Sequence, residues 1–116
     1  MDKNDLMLRT KTFALNTIGL VEALPKNKAN DVIGYQLPKS STSIGANYRE
    51  ALRGESKADF IHKIGIVEKE AGETEWWLEL LQERRPANAV AVESALKECR
   101  ELLRIFTATG RTAKRK

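Results

Sequence analysis

Apolar residues recur every three or four positions in four separate segments of the chain, which is the spacing of one helix face. Strand-type alternation of apolar and polar residues is absent from the sequence. Four such helices joined by short breaks predict an all-α fold, an antiparallel up-and-down four-helix bundle. The residues expected in its single core include Ile44, Ile64, Leu78, Leu96 and Phe106.

Capping residues and prolines predict where the helices begin and end. The predicted N-caps are Asp5, Asp31, Ser56 and Asn88. The predicted ends are Leu24 before Pro25, Gly54, residues 83–85 before Pro86, and residues 109–110. Asp59 follows Ser56 by three positions, as in a capping box. The chain is therefore divided into a bundle domain, residues 1–110, and a flexible basic tail, residues 111–116.

Two of the predicted helices carry more apolar surface than one bundle buries. The surplus residues lie on the first and third helices, and they are Leu8, Leu15, Ile18, Ile66, Trp77 and Leu80. Trp76 and Trp77 point about 100° apart on a helix, so they cannot share one stripe. The surplus residues either lie at bundle edges under long side chains or form a subunit interface. The interface is favoured, because monomers rarely expose apolar patches of this size.

Length and composition favour a soluble protein of one domain. At 116 residues the chain can bury one core, and no apolar run approaches the roughly 20 residues that span a membrane. The first residues lack the apolar segment of a signal peptide. Cys99 is the only cysteine, so an internal disulfide is excluded. We therefore expect a cytoplasmic protein with no membrane partner.

The formal net charge of +4 conceals an uneven distribution. Residues 1–53 carry 8 basic and 5 acidic side chains, residues 54–103 carry 7 and 11, and the last residues are basic only. The candidate nucleic-acid contacts are Arg9, Lys11, Lys39, Arg49, Arg53, Arg111, Lys114, Arg115 and Lys116. Such charges are either a solvated face and tail or a set of phosphate contacts.

No residue set in the sequence predicts catalysis or a cofactor. The acidic run Glu68, Glu70, Glu73 and Glu75 has no Glu-x-x-His motif, which favours a solvated face over a metal site. His62 is the only histidine and has no evident nucleophile beside it. Ser40–Ser43 look like a reactive cluster, but small residues also let helices approach each other. We expect no enzyme activity, no metal and no cofactor.

Asn47 and Glu50 are the most distinctive polar pair, because Asn47 interrupts the apolar stripe of the second helix. A ligand or RNA contact is one interpretation. The other is an inter-helix hydrogen bond that fixes register, as a buried asparagine does in coiled coils. The structural interpretation is favoured.

A longer segment of the chain resembles a known family. The run Ser43-Ile44-Gly45-Ala46-Asn47 with Glu50, followed by Glu70-Ala71-Gly72-Glu73-Thr74, is similar to the family of proteins encoded in intervening sequences of bacterial 23S ribosomal RNA genes. The resemblance covers nearly the whole chain and is weakest after Gly110. It implies an up-and-down four-helix bundle that assembles as a homopentameric ring.

The resemblance implies little about activity, because the family is linked to ribosomal RNA mainly by gene location. A related accessory protein of diversity-generating retroelements has a similar fold and binds a reverse transcriptase and nucleic acid. The present chain departs from the family pattern at Pro38 and Lys39, where an apolar residue and an arginine are usual. Proline should kink the second helix or start it anew, and lysine lacks the planar fork of arginine.

These observations together predict a non-enzymatic homo-oligomeric binding or scaffold protein, of five subunits on the family resemblance. Its expected partners are itself and RNA or a nucleic-acid-associated protein. The alternative is a structural or protein-interaction module that binds no nucleic acid, which the acidic second half of the chain would favour.

Overall fold

Four helices and no strand make up the computed structural model, which describes residues 1–116. They are α1 (Lys3–Glu22), α2 (Lys28–Leu52), α3 (Lys57–Glu83) and α4 (Ala89–Arg115). Each helix packs against the next, and α4 returns to α1, so α1 and α3 occupy diagonal corners. The molecule measures 46 × 22 × 20 Å, close to one long helix in its longest dimension. The predicted all-α, four-helix fold is confirmed.

One continuous core runs along the bundle axis between the helices. The five core residues predicted from the spacing, Ile44, Ile64, Leu78, Leu96 and Phe106, are all buried. The rings of Tyr48 and Phe106 meet edge to face with centroids 5.2 Å apart, which joins α2 to α4 across the core. The spacing of apolar residues was therefore sufficient to identify the buried faces of α2, α3 and α4.

The first helix begins earlier than predicted, although the same residue type caps it. Asp2 is the N-cap of α1, and Asp5 is its partner in a capping box. The Asp5 N–H donates to Asp2 Oδ1 at 2.9 Å, and the Asp2 N–H donates to Asp5 Oδ2 at 3.3 Å. Aspartate suits both positions of this motif, so spacing alone did not show which of the two aspartates is the N-cap.

The second helix also begins earlier, because Asn27 rather than Asp31 is its N-cap. The prediction for the third helix is confirmed, since the Asp59 N–H donates to the Ser56 side chain at 3.1 Å. Asn88 precedes α4 as predicted, but its side chain makes no capping hydrogen bond.

The predicted flexible tail is wrong in its conformation, because α4 continues to Arg115. Gly110 was expected to end the helix, yet it is buried with a negative φ. A Cβ at Gly110 would stand 3.2 Å from the side chain of Ile64 on α3. The missing side chain therefore lets α4 lie close against α3 and continue, so residues 111–115 form its last turns.

Pro38 does not restart the second helix, which runs without interruption from Lys28 to Leu52. Proline removes one helix hydrogen bond, at a cost of about 3 kcal/mol. Buried residues on both sides of it, including Leu37 and Ile44, hold the two halves against the same core. The Thr42 hydroxyl also donates to the Pro38 carbonyl at 2.6 Å. Packing on both sides of Pro38 therefore outweighs the tendency of proline to interrupt a helix.

The two flanks of α1 are packed differently. Against α2 the backbones come close, since a Cβ at Gly45 would stand 3.0 Å from the Thr10 hydroxyl oxygen. Between α1 and α4 two grooves of about 530 and 400 Å³ remain open. Small or polar residues such as Asn16, Ala91 and Ser94 line them. The α1–α4 side is therefore the loosest part of the bundle.

Candidate self-association and nucleic-acid surfaces

The back of α1 carries an apolar stripe that faces solvent. Its members are Leu8, Leu15 and Ile18, with 66%, 62% and 36% of their surfaces exposed. They are spaced by seven and three positions, which places them on one face, opposite the buried Leu6, Phe13 and Leu20. We call this set the outer stripe of α1. Helix α1 thus has two apolar faces, and only one of them is covered by the bundle.

The three candidate interface residues of the third helix are less exposed. Ile66, Trp77 and Leu80 are half-buried, and Trp77 packs against the core. The exposed tryptophan is instead Trp76, at 56%. The sequence pattern therefore placed Trp77 outward, whereas Trp76 is the more exposed of the two. The buried arc of α3 extends to Trp77, which packs against the core.

Arg9 is an ion-pairing residue between two helices rather than a free cation. Its Nε lies 2.6 Å from a Glu98 oxygen, and its Nη2 lies 2.9 Å from a Glu101 oxygen. Hydrogen bonds with Glu98 and then Glu101 raise the pKa of the guanidinium, and the bond from Arg9 is the main cause of the lowered pKa of Glu101. This contact joins α1 to α4 and leaves Arg9 unsuited to a phosphate.

Four other candidate cations lie together on the surface of α1 and α2. Lys11, Lys39, Arg49 and Arg53 are exposed, and none of them takes part in a salt bridge. Lys11 and Arg49 line a shallow depression of about 200 Å³ between the two helices. The Lys39 ammonium lies 5.7 Å from the centroid of the Tyr35 ring. The fold therefore gathers free positive charge on this side.

The remaining candidate cations lie in the last turns of α4. Arg111, Lys114, Arg115 and Lys116 are all exposed. Positive charge at a helix C-terminus is favoured by the helix dipole, so a stabilising role accounts for part of this cluster. Arg49 in the last turn of α2 and Arg53 at its C-cap have the same local explanation, whereas Lys11 and Lys39 do not.

Asn47 and Glu50 do not form the expected inter-helix contact. The Asn47 side-chain amide donates to the Ser43 carbonyl at 2.9 Å, one turn back along the same helix. Glu50 is exposed. The prediction of a register-fixing hydrogen bond at Asn47 is therefore wrong, because Asn47 lies at the edge of the buried face and reaches its own helix first.

Buried hydroxyl pairs join the helices instead. Thr17 Oγ1 on α1 lies 2.6 Å from Ser41 Oγ on α2, and Thr74 on α3 bonds Ser40 on α2 at 2.8 Å. All four residues are buried. The sequence contained a signal for two of them, since Ser40 and Thr74 interrupt otherwise apolar stripes at core positions.

The remaining reactive side chains are poorly placed for chemistry. Cys99 is buried, its thiol donates to the Ala71 carbonyl at 3.3 Å, and burial raises its pKa to about 12. A thiol of this kind is not a nucleophile at neutral pH. His62 is exposed. No group of three or more His, Cys, Asp or Glu residues is arranged to hold a metal ion.

None of the helices combines the length and apolar character needed to cross a membrane.

Comparison with known proteins agrees with this architecture. The family model of the 23S rRNA-intervening sequence protein matches residues 2–108. A crystal structure of a protein of unknown function from the S23 ribosomal protein family of Bacteroides thetaiotaomicron is similar to this one, with a TM-score of 0.81 and 36% identity. The alignment covers 90% of this chain and 96% of that one. A search of curated proteins found no match.

The fold defines an all-α protein of four helices with no evident catalytic centre. The match over nearly the whole chain then shows that it belongs to the family of 23S rRNA-intervening sequence proteins.

Proposed function

We propose that this protein is a non-enzymatic, homo-oligomeric scaffold that self-associates through the outer stripe of α1 and contacts RNA or a nucleic-acid-associated partner. The observation that carries the proposal is the outer stripe itself. Three large apolar side chains, Leu8, Leu15 and Ile18, face solvent on a helix whose opposite face is already buried in the core. Such a patch favours burial against another protein surface.

The position of the exposed apolar groups favours a ring over a simple dimer. The outer stripe lies on α1, whereas Trp76 lies on α3, at the diagonal corner of the bundle. The two patches therefore face away from each other. A contact between unlike patches on successive copies is heterologous, and it generates a closed ring if the rotation permits. The family resemblance sets the proposed number at five subunits.

RNA contact is supported by the unpaired cations on α1 and α2 and at the end of α4. In a ring each weak phosphate contact is repeated in every subunit, so the contacts add up. The alternative is a protein-interaction module without nucleic acid. It is favoured by the acidic second half of the chain, where residues 54–103 hold 11 acidic and 7 basic side chains.

Light scattering tests the self-association directly. We expect the protein at micromolar concentration to have a mass several times that of the 13.0 kDa chain. Leu8→Lys with Leu15→Lys should lower the mass toward one chain, because two charges cannot be buried unpaired. Val90→Lys is a control for an added surface charge, since Val90 is exposed on α4 and is not part of the stripe. A monomeric unsubstituted protein, or equal masses for all three proteins, would refute the proposal.

Filter binding at several salt concentrations separates the two functions. RNA held through phosphates binds tightly at low salt and weakly at high salt, because affinity comes from released counterions. If an oligomer forms but no RNA binds even at low ionic strength, the protein-interaction alternative is correct.

A further inference from the structure

The outward face of α2 carries a row of exposed side chains, three of which are basic. Its exposed positions recur every three or four residues along the whole helix. They are Val32, Tyr35, Lys39, Thr42, Ala46, Arg49 and Arg53. We call this set the outer stripe of α2. It contains three basic residues, and the exposed acids Asp31 and Glu50 lie beside them on the same helix.

The cations of this stripe are not ion-paired within the protein, although the helix dipole favours Arg49 and Arg53 at the C-terminal end of α2. Lys39, Arg49 and Arg53 form no salt bridge, unlike Arg9 and Arg100. Arg49 and Arg53 are four residues apart, a spacing at which like charges destabilise a helix. On the α3 side, burial raises the pKa of Glu70, and Lys39 lies close enough to oppose part of that rise. An anionic partner would neutralise charges that the fold leaves unpaired.

Tyr35 adds a second kind of contact to the stripe. Its side chain is 64% exposed, and the Lys39 ammonium lies 5.7 Å from the ring centroid. An exposed aromatic ring beside a row of cations is the arrangement by which proteins hold single-stranded nucleic acid, with a base on the ring and phosphates on the cations. An acidic protein surface would not require the ring.

The shape of the surface favours one strand over two. The cations form a single row, since Lys39 and Arg53 are 14 residues apart on one helix, or about 21 Å. Beside the row, the depression between α1 and α2 is lined by the small residues Gly45 and Ala46 and by Lys11. One backbone can follow this row, whereas a duplex presents two rows of phosphates.

We propose that the outer stripe of α2 binds single-stranded RNA, with a base stacked on Tyr35 and phosphates held by Lys11, Lys39, Arg49 and Arg53. The proposal rests on the RNA contact in the proposed function, and it specifies the surface and the form of the RNA.

The test is fluorescence anisotropy of the full-length protein with a labelled, unstructured single-stranded RNA and with the same sequence as a duplex. Tyr35→Ala should weaken single-strand binding about 5- to 100-fold, as expected for loss of one stacked base. Tyr35→Phe keeps the ring and should bind as the unsubstituted protein does. Duplex binding should be weaker and insensitive to both changes.

A pair of charge variants locates the phosphate contacts. Arg49→Gln with Arg53→Gln should weaken binding and reduce the slope of log affinity against log salt by about 1.4, because each single-strand phosphate contributes about 0.7. Arg111→Gln with Arg115→Gln makes the same change of charge on α4 and should have a smaller effect. Light scattering and circular dichroism should be unchanged in all these variants, because the substituted residues are exposed.

Three results would overturn the inference, and they are distinguishable. If RNA binds and only the α4 variants weaken it, the proposed function stands and the site is elsewhere. If polyglutamate competes as well as RNA and Tyr35→Ala has no effect, the stripe is a surface for acidic proteins. If no RNA binds at low salt, both the inference and the RNA contact in the proposed function fail.

Discussion

At the scale of single residues, the specific contacts of this bundle are made by buried hydroxyl groups. Thr17 and Ser41 join α1 to α2, and Ser40 and Thr74 join α2 to α3. Each group also lies near a carbonyl oxygen of its own helix; for example, Thr74 Oγ1 is 2.7 Å from the Glu70 carbonyl. Each hydroxyl therefore keeps a partner within its own helix, and the contact between the two hydroxyls of a pair is the part that depends on the register of the helices.

Thr74→Val should destabilise the protein by about 1–2 kcal/mol, because the shape is kept while the hydrogen bond with Ser40 is lost in a buried site. Ser40→Ala should also destabilise it, and the double variant should lose less than the sum of the two. Urea denaturation measures all three. Thr12→Val is the control, since Thr12 is exposed and its change should be near neutral. Strict additivity would show that the two hydroxyls are not coupled.

The sequence could place these residues but not pair them. The spacing put Ser40 and Thr74 on core faces, and both are buried. Which hydroxyls meet depends on the axial offset between helices, and that offset is not contained in the periodicity of either helix. For the same reason Asn47 was assigned an inter-helix partner, although its distance from the centre of the buried face lets it reach only Ser43.

At the scale of helices, α1 is held tightly on one side and loosely on the other. Gly45 allows close contact between α2 and α1, whereas open grooves separate α1 from α4.

Some helix boundaries could be predicted from the sequence and others could not. Ser56 was identified correctly because Asp59 completes its motif, while the end of α4 was not, because the packing of Gly110 on Ile64 is a tertiary effect.

Gly45→Ala and Gly65→Ala should have opposite effects. Alanine is favoured over glycine in a helix by about 0.5–1 kcal/mol. A Cβ at Gly65 meets nothing within 4 Å, whereas at Gly45 it would lie 3.0 Å from the Thr10 hydroxyl. We therefore expect Gly65→Ala to raise the free energy of unfolding and Gly45→Ala to lower it. If Gly45→Ala stabilised the protein, α1 would be able to move away from α2 without a loss of stability.

Arg9→Gln should loosen the packing of α1 against α4. Faster amide hydrogen exchange in both helices would show this. The ion pair should also depend on pH. Arg9 lowers the pKa of Glu101 below its ordinary 4.5. The stability contributed by the Arg9–Glu101 pair is therefore complete above pH 4.5, and it is lost as the pH falls through the lowered pKa. Exchange in the unsubstituted protein should therefore approach that of Arg9→Gln in acid. Arg100→Gln, which removes an α3–α4 pair, is the control and should leave α1 unchanged.

At the scale of the whole molecule, two uncovered surfaces lie on different helices. The outer stripe of α1 is apolar, and the outer stripe of α2 is basic. Helical periodicity predicted the first, because two opposed apolar faces on one helix are visible in the sequence. It did not show which tryptophan is exposed, because the width of the buried arc on α3 depends on how its neighbours pack against it.

The two tryptophans should therefore have separate roles in the assembled protein. Trp76 is 56% exposed at the corner diagonal to α1, so Trp76→Ala should lower the mass measured by light scattering if α3 meets the outer stripe of α1 in the next copy. Trp77 is packed against the core, and its indole N–H is buried without a partner. Trp77→Ala should therefore lower the free energy of unfolding by about 2–4 kcal/mol through the cavity it leaves.

Trp77→Phe separates these effects, because it keeps most of the packing and removes the unpartnered N–H. It should leave the mass of the oligomer unchanged and cost less stability than Trp77→Ala. Each comparison requires one protein concentration, since subunit association itself raises stability by mass action. If Trp76→Ala leaves the mass unchanged while Leu8→Lys with Leu15→Lys lowers it, the outer stripe of α1 meets a surface other than α3. The contact would then be able to join like patches, and the closed-ring arrangement would lose its structural support.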